Sequence, residues 1–406
     1  MHATARPNVM KYPRLLLAVA IQLAAGTALS AQERYTPVMA VIDRAGDFLV
    51  GLFERPLRPD FATVVPGSGI GAGLTLSPRC GTGWCLDANG VVTVRRYWDA
   101  QGTISYNTRT TRVAAYAATR DMPKLDFFGL GRVSAEADRT VFSLEDRLVG
   151  FQAEQRLSGW FAVSARAELL RPEVGSGRSS DLPSLEDLFD EADAPGLTRQ
   201  PNFARYEASL RVDIPAGRSQ AFNQGGELRA AAAHYADGDL DRYSFRRVDV
   251  EVRQRFALLG ALRRLTLHGR LSTTAASSGN DVPFYLMPTL GGFDLPQGQG
   301  DQTIGSDGTT ATLRGFTNYR FRDRHLLLLQ AEYRVPVWGP IDLSIFGDAG
   351  KVASSRDDLD LDDLRRNLGV GLSIMRGAET ALRFDVGFGG GEGARLFLTV
   401  GRIIAP

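Results

Sequence analysis

From Leu327 onward the chain alternates with a period of two, and one side of the alternation carries whole charges. Leu327, Leu329, Ala331, Tyr333, Val335 and Val337 fall on one side; Leu328, Gln330, Glu332, Arg334 and Pro336 fall on the other. Period two is the signature of a β-strand, whose side chains point to opposite faces in turn. The pattern returns in Ile341, Leu343 and Ile345 against Asp342, Ser344, Phe346 and Asp348. It returns again in Leu382, Phe384, Val386 and Phe388 against Arg383, Asp385 and Gly387, and upstream in Tyr206, Ala208, Leu210 and Val212 against Glu207, Ser209, Arg211 and Asp213. A soluble β-sandwich also alternates, but its core cannot bury a succession of unpaired charges. A wide, wet lumen can hold them while the apolar face meets lipid. The pattern therefore predicts an all-β fold, a transmembrane antiparallel β-barrel. Between Gly67 and Ile404 about 14 strands are clear, and 16 if the stretch 91–118 divides further. Connections sort by length as such barrels require: Gly339-Pro340 and Arg376-Gly377 are short, whereas 171–204 and 274–320 are long.

The N-terminus fits export. Lys11 and Arg14 precede an apolar run from Leu15 to Leu29, followed by the small residues Ser30 and Ala31. That order predicts a signal peptide over residues 1–31. Its removal takes Arg6, Lys11 and Arg14 and leaves 44 basic against 46 acidic side chains. With only three lysines and no polybasic stretch, nucleic acid is excluded as the main partner. Residues 32–66 are read as a periplasmic N-terminal segment. Within it, 35–55 would form a short amphipathic helix, with Val38, Val41, Ile42, Ala45, Leu49 and Leu52 on one side. The barrel domain is then 67–406.

The stretch from Val282 to Lys351 resembles the BamA/TamA-type outer-membrane assembly family (bacterial surface antigen barrels). The likeness lies in "VPFYLMPTLGG", "LRGFTNYRFRDR", "LLLLQAEYRVPVW" and "LSIFGDAGKV", in that order, with "DFFGLG" at 126–131 and "APGL" at 194–197 as weaker companions. The resemblance favours 16 strands. It implies that Arg314, followed by Gly315 and Phe316, lies on a long loop folded back into the barrel. There it would pair with lumen-facing acids that match Glu332 and Asp348. The alternation puts both acids on the polar face independently, and a guanidinium offers the planar fork that two carboxylates need. Gly315 would let the loop turn sharply. Arg322, Asp323 and Arg324 would extend the same network. Residues 32–66 are too few for one POTRA domain, the family's periplasmic module, so the expected member lacks them.

Cys80 and Cys85 frame "CGTGWC", and in an oxidising compartment they predict a local disulfide in the first outer loop. No nucleophile elbow and no metal-ligand spacing is found, so no enzyme activity, cofactor or metal is expected. The expected place is the bacterial outer membrane. The expected work is insertion of membrane proteins or translocation of cargo, with a passive pore or structural barrel as the alternative. The expected partners are outer-membrane lipid, unfolded outer-membrane proteins or other exported cargo, and periplasmic accessory proteins.

Overall fold

The computed structural model describes residues 56–60, 64–65, 67–78, 80–217, 223–258, 262–292, 312–376, 379–389 and 392–400. The expected signal peptide and amphipathic helix lie outside these. In chain order the strands are β1 (Leu57–Asp60), β2 (Gly71–Leu76), β3 (Gly83–Thr93), β4 (Trp98–Asn107), β5 (Thr111–Phe127) and β6 (Thr140–Arg156). Then follow β7 (Phe161–Ser176), β8 (Phe203–Ile214), β9 (Asn223–Asp237), β10 (Phe245–Ala257), β11 (Arg264–Ala276), β12 (Thr289–Leu290) and β13 (Phe321–Arg322). The last are β14 (His325–Trp338), β15 (Ile341–Ala353), β16 (Arg365–Arg376), β17 (Glu379–Gly389) and β18 (Ala394–Val400).

Sixteen of these form one sheet in which each strand pairs antiparallel with the next, β11 passing directly to β14. The short β12 and β13 pair only with each other, inside the long connection between β11 and β14. The sheet turns back on itself: Arg395 on β18 bonds Glu136, in the connection after β5, at 2.6 Å. Among the described residues no ladder joins β1 to β18.

Two features of the sheet were hard to read beforehand. The first strand is Leu57–Asp60, inside the segment expected to precede the barrel, and it pairs Leu57 with Leu76 and Asp60 with Gly73. Four residues containing Pro59 show no alternation, and proline is tolerated there because β1 is an end strand. The stretch 91–118 divides among β3, β4 and β5. Its five alanines and five threonines blur the contrast between the faces.

The alternation decides which way each side chain points. On β14, Gln330, Glu332 and Arg334 are buried toward the lumen, while Leu329 and Val337 are exposed on the outside. Connections 108–110, 157–160 and 339–340 lie at one end of the barrel; 128–139, 177–202, 238–244 and 277–324 lie at the other. The exposed aromatics Trp84, Tyr106, Trp160 and Trp338 collect at the short-connection end, as an interfacial girdle does. At the long-connection end a cluster of buried side chains fills the mouth from within, including Phe127, Phe142, Phe203, Tyr235, Phe245 and Phe284.

Candidate functional site

The site is built where the β11–β14 connection re-enters the lumen. Leu313 and Phe316 anchor the connection in a small apolar cluster with Leu290, Phe321, Leu326, Leu328 and Val352. Phe316 meets Phe321 edge-on at 5.3 Å. Between these anchors Arg314 is held from three sides. Its Nε donates to Asp348 Oδ2 at 3.0 Å and its Nη2 to Asp348 Oδ1 at 2.7 Å, a two-pronged contact. Its Nη1 donates to Glu332 Oε2 at 2.8 Å. The backbone N–H of Arg314 also donates to Asp348, at 3.1 Å. The guanidinium carbon lies 3.5 Å from the centre of the Phe346 ring, which forms a floor beneath the charge.

Each carboxylate is in turn shared. Glu332 accepts from Arg383 Nη1 and Nη2 at 3.0 and 2.6 Å, and from Arg334 Nη2 at 3.0 Å. Arg383 also donates to Asp385 at 2.7 Å. Asp348 accepts from Gln330 and Asn367 at 3.0 and 2.9 Å. Gln330 donates a second bond to the carbonyl of Thr312, so β14 grips the connection's backbone just before Arg314. Three guanidiniums thus meet three carboxylates, and charge balance is what lets so many ions sit away from bulk water.

The two glycines of the site serve close approach. Gly315 is outside the left-handed region. A Cβ placed on it would come within 2.5 Å of Asn367 Cβ and 2.6 Å of the Gly389 nitrogen. The expected sharp turn is therefore replaced by a tight contact with the wall. Gly387 on β17 faces the same backbone, and a Cβ there would be 2.1 Å from the Arg314 carbonyl oxygen.

Arg322, Asp323 and Arg324 do not extend this network. Arg322 lies in the mouth, its guanidinium carbon 5.5–5.6 Å from the centres of Phe127, Phe142 and Phe284, and donates to the carbonyl of Phe284 at 2.9 Å. Arg324 pairs with Asp281 at 3.2 Å, and Asp323 accepts from the Arg324 backbone. Spacing in sequence put them beside Arg314, but the pairing of β13 with β12 carries them toward the long-connection end. The residues missed beforehand are Arg383, Asp385, Gln330, Asn367 and Phe346. All lie on the inward register, which was readable, but nothing in the sequence says which of the inward groups the connection reaches.

Cys80 and Cys85 are bonded, with Cα atoms 5.7 Å apart. Cys80 sits in the β2–β3 connection and Cys85 near the start of β3, at the same end as 108–110, so the expected outer-loop position is corrected to the short-connection end. The shift follows from β1: one additional strand reverses the end at which every early connection falls.

Beyond the strands, Glu191 ties the 177–202 connection to the 238–244 connection. It accepts from the backbone N–H groups of Gly196 and Thr198, both at 2.7 Å, and from the Tyr243 hydroxyl. Burial opposes its charge, but these donors outweigh burial and hold the carboxyl below the usual range. Burial first, and then this bond, push the Tyr243 hydroxyl up to about 12.

No protein-family model and no curated protein matches the chain. Solved structures match its fold. A BamA from Haemophilus ducreyi lacking POTRA domains 1–3 superposes with a TM-score of 0.54 at 13% identity, over 90% of this chain and 79% of that one. CdiB from Escherichia coli gives 0.53 at 11% identity, over 94% and 73%. At such identities the likeness is one of fold, and it agrees with the BamA-type barrel that the motifs led us to expect: the chain's sixteen-stranded sheet has the barrel fold of BamA and CdiB.

Proposed function

We propose that this chain is a bacterial outer-membrane barrel that helps insert membrane proteins or carry exported cargo, without covalent chemistry. Arg314, Gly315, Phe316, Glu332 and Asp348 would act as the latch that seats the β11–β14 connection in the lumen. The observation that carries the reading is the grip itself: a guanidinium 3% exposed, divided between carboxylates on β14 and β15. Such a contact ties the connection to the wall strands, so a shift of either would be felt by the other. The partners implied are outer-membrane lipid, unfolded outer-membrane proteins or other exported cargo, and periplasmic accessory proteins.

Depletion of the protein in its host tests the reading. Unfolded outer-membrane proteins, or one retained class of exported cargo, should accumulate, and the Arg314→Ala variant should not relieve this. Normal outer-membrane composition after depletion, with steady single-channel conductance from the purified protein, would instead favour the passive pore. The filled mouth around Arg322 speaks against that outcome.

A further inference from the structure

On four strands of the outer wall the exposed register changes from an apolar residue to an arginine in one two-residue step. Val149 (49% exposed) is followed outward by Arg147 on β6, and Leu169 (56%) by Arg171 on β7. Val248 (43%) is followed by Arg246 on β10, and Leu368 (63%) by Arg366 on β16. All four arginines are exposed, and all four lie toward the long-connection ends of their strands. Arg96 follows the exposed Val94 in the same way in the β3–β4 connection. At the opposite end the outer wall carries Trp84, Tyr106 and Trp338, and the exposed arginines there, Arg109, Arg112 and Arg156, lie in the turn or on the inward register.

Local pairing does not account for the arginines. Arg147 and Arg171 stand directly opposite each other on neighbouring strands, an arrangement that repels. Arg147 reaches only the far edge of pairing with Glu145 and Glu173, at 3.8 and 3.9 Å. Arg171, Arg246 and Arg366 have no carboxylate in ion-pair range among the described residues. Glu145 and Glu173 lie one step further outward still, so the row next to the apolar belt is the basic one.

Resting on the outer-membrane reading above, we propose that Arg147, Arg171, Arg246 and Arg366 form a girdle that binds the phosphorylated headgroups of outer-leaflet lipids. The apolar belt fixes the height of the acyl chains. The first polar group above them is the headgroup, and a guanidinium binds phosphate through two parallel hydrogen bonds. A phosphate set between Arg147 and Arg171 also removes their repulsion.

The test is native mass spectrometry of the full purified chain in detergent, from a preparation that shifts on boiling in a gel. The probes are diphosphorylated lipid A, the same lipid with both phosphates removed, and inorganic phosphate as competitor. Wild type should retain the phosphorylated lipid over the dephosphorylated one by at least about tenfold, since each arginine near an anionic surface contributes a factor of roughly five. Joint substitution Arg147→Gln, Arg171→Gln, Arg246→Gln and Arg366→Gln should abolish the preference, and the four Arg→Lys changes should keep part of it. Equal retention of both lipids by wild type would overturn the proposal, and that comparison needs no variant to fold. An undiminished preference in a folded glutamine variant would overturn it too. Displacement of the lipid by equimolar inorganic phosphate would reduce the girdle to a free-anion site. A wild-type preparation that does not shift on boiling would overturn the barrel reading beneath it, an outcome visible before any lipid is added.

Discussion

Arg383 and Glu332 meet through two parallel hydrogen bonds, at 3.0 and 2.6 Å, although β15 and β16 lie between their strands. The pair makes Glu332 the hub of the lumen: it is the one carboxylate shared by Arg314, Arg334 and Arg383. Replacing Glu332 with Gln should therefore destabilise more than replacing Asp385 with Asn. It leaves three guanidiniums facing a neutral group, and removing one partner of a buried ionic cluster costs on the order of 3 kcal/mol. Urea midpoints read from the boil-dependent gel shift would rank the two. A double-mutant cycle on Arg383 and Glu332 should show coupling of about 1–3 kcal/mol.

Arg314→Ala should lower barrel stability by about 3 kcal/mol, less where lumen water reaches the freed carboxylates, with export unchanged. Arg314→Lys should not restore it. One ammonium cannot span Glu332 and Asp348 at once, nor lie flat on Phe346. Equal midpoints for wild type and both variants would remove the latch.

The glycine contacts allow a test that leaves every charge in place. Gly387→Ala puts a methyl group 2.1 Å from the Arg314 carbonyl oxygen, and Gly315→Ala puts one 2.5 Å from Asn367 Cβ. Both contacts involve the wall or its backbone, so the connection must lift. Limited trypsin digestion should cut within 312–322 in both variants and spare wild type. Protection equal to wild type would show that the wall can yield.

The Cys80–Cys85 bond closes a small loop, so its entropic contribution is at most about 2 kcal/mol. The double change Cys80→Ser and Cys85→Ser should leave the gel shift present and move its urea midpoint only modestly. Loss of the folded band would assign this connection a larger part in assembly.

Acid should loosen the outer connections before the wall. The Glu191 carboxyl lies below its ordinary range when folded, so the stability it adds is present above the unfolded carboxylate pKa and is lost as pH falls through the lower folded value. Hydrogen exchange in 191–198 should therefore quicken as pH drops below about 4, after correction for the intrinsic rate. Glu191→Gln should show the faster exchange already at neutral pH. Identical pH profiles for wild type and variant would show that Glu191 does not hold the connection.

The barrel and its inward register were legible in the sequence because alternation is a property of the strand backbone itself. Once Glu332 and Asp348 fall on the polar side of their runs, no tertiary contact is needed to say that they face the lumen. The motif around Arg314 was legible for a different reason, its likeness to a known arrangement. The choice among inward groups was decided by the tertiary structure alone. Arg383 reaches Glu332 because sheet curvature brings β14 and β17 together, and Arg322 enters a box of phenylalanines because the pairing of β12 with β13 redirects it. Likewise β1 carries too few residues to show a period, yet its presence sets the end at which the disulfide lies. Period and charge are local and can be read along the chain; curvature, strand stagger and the path of a long connection are sums over the whole sheet, and they determine which charges meet.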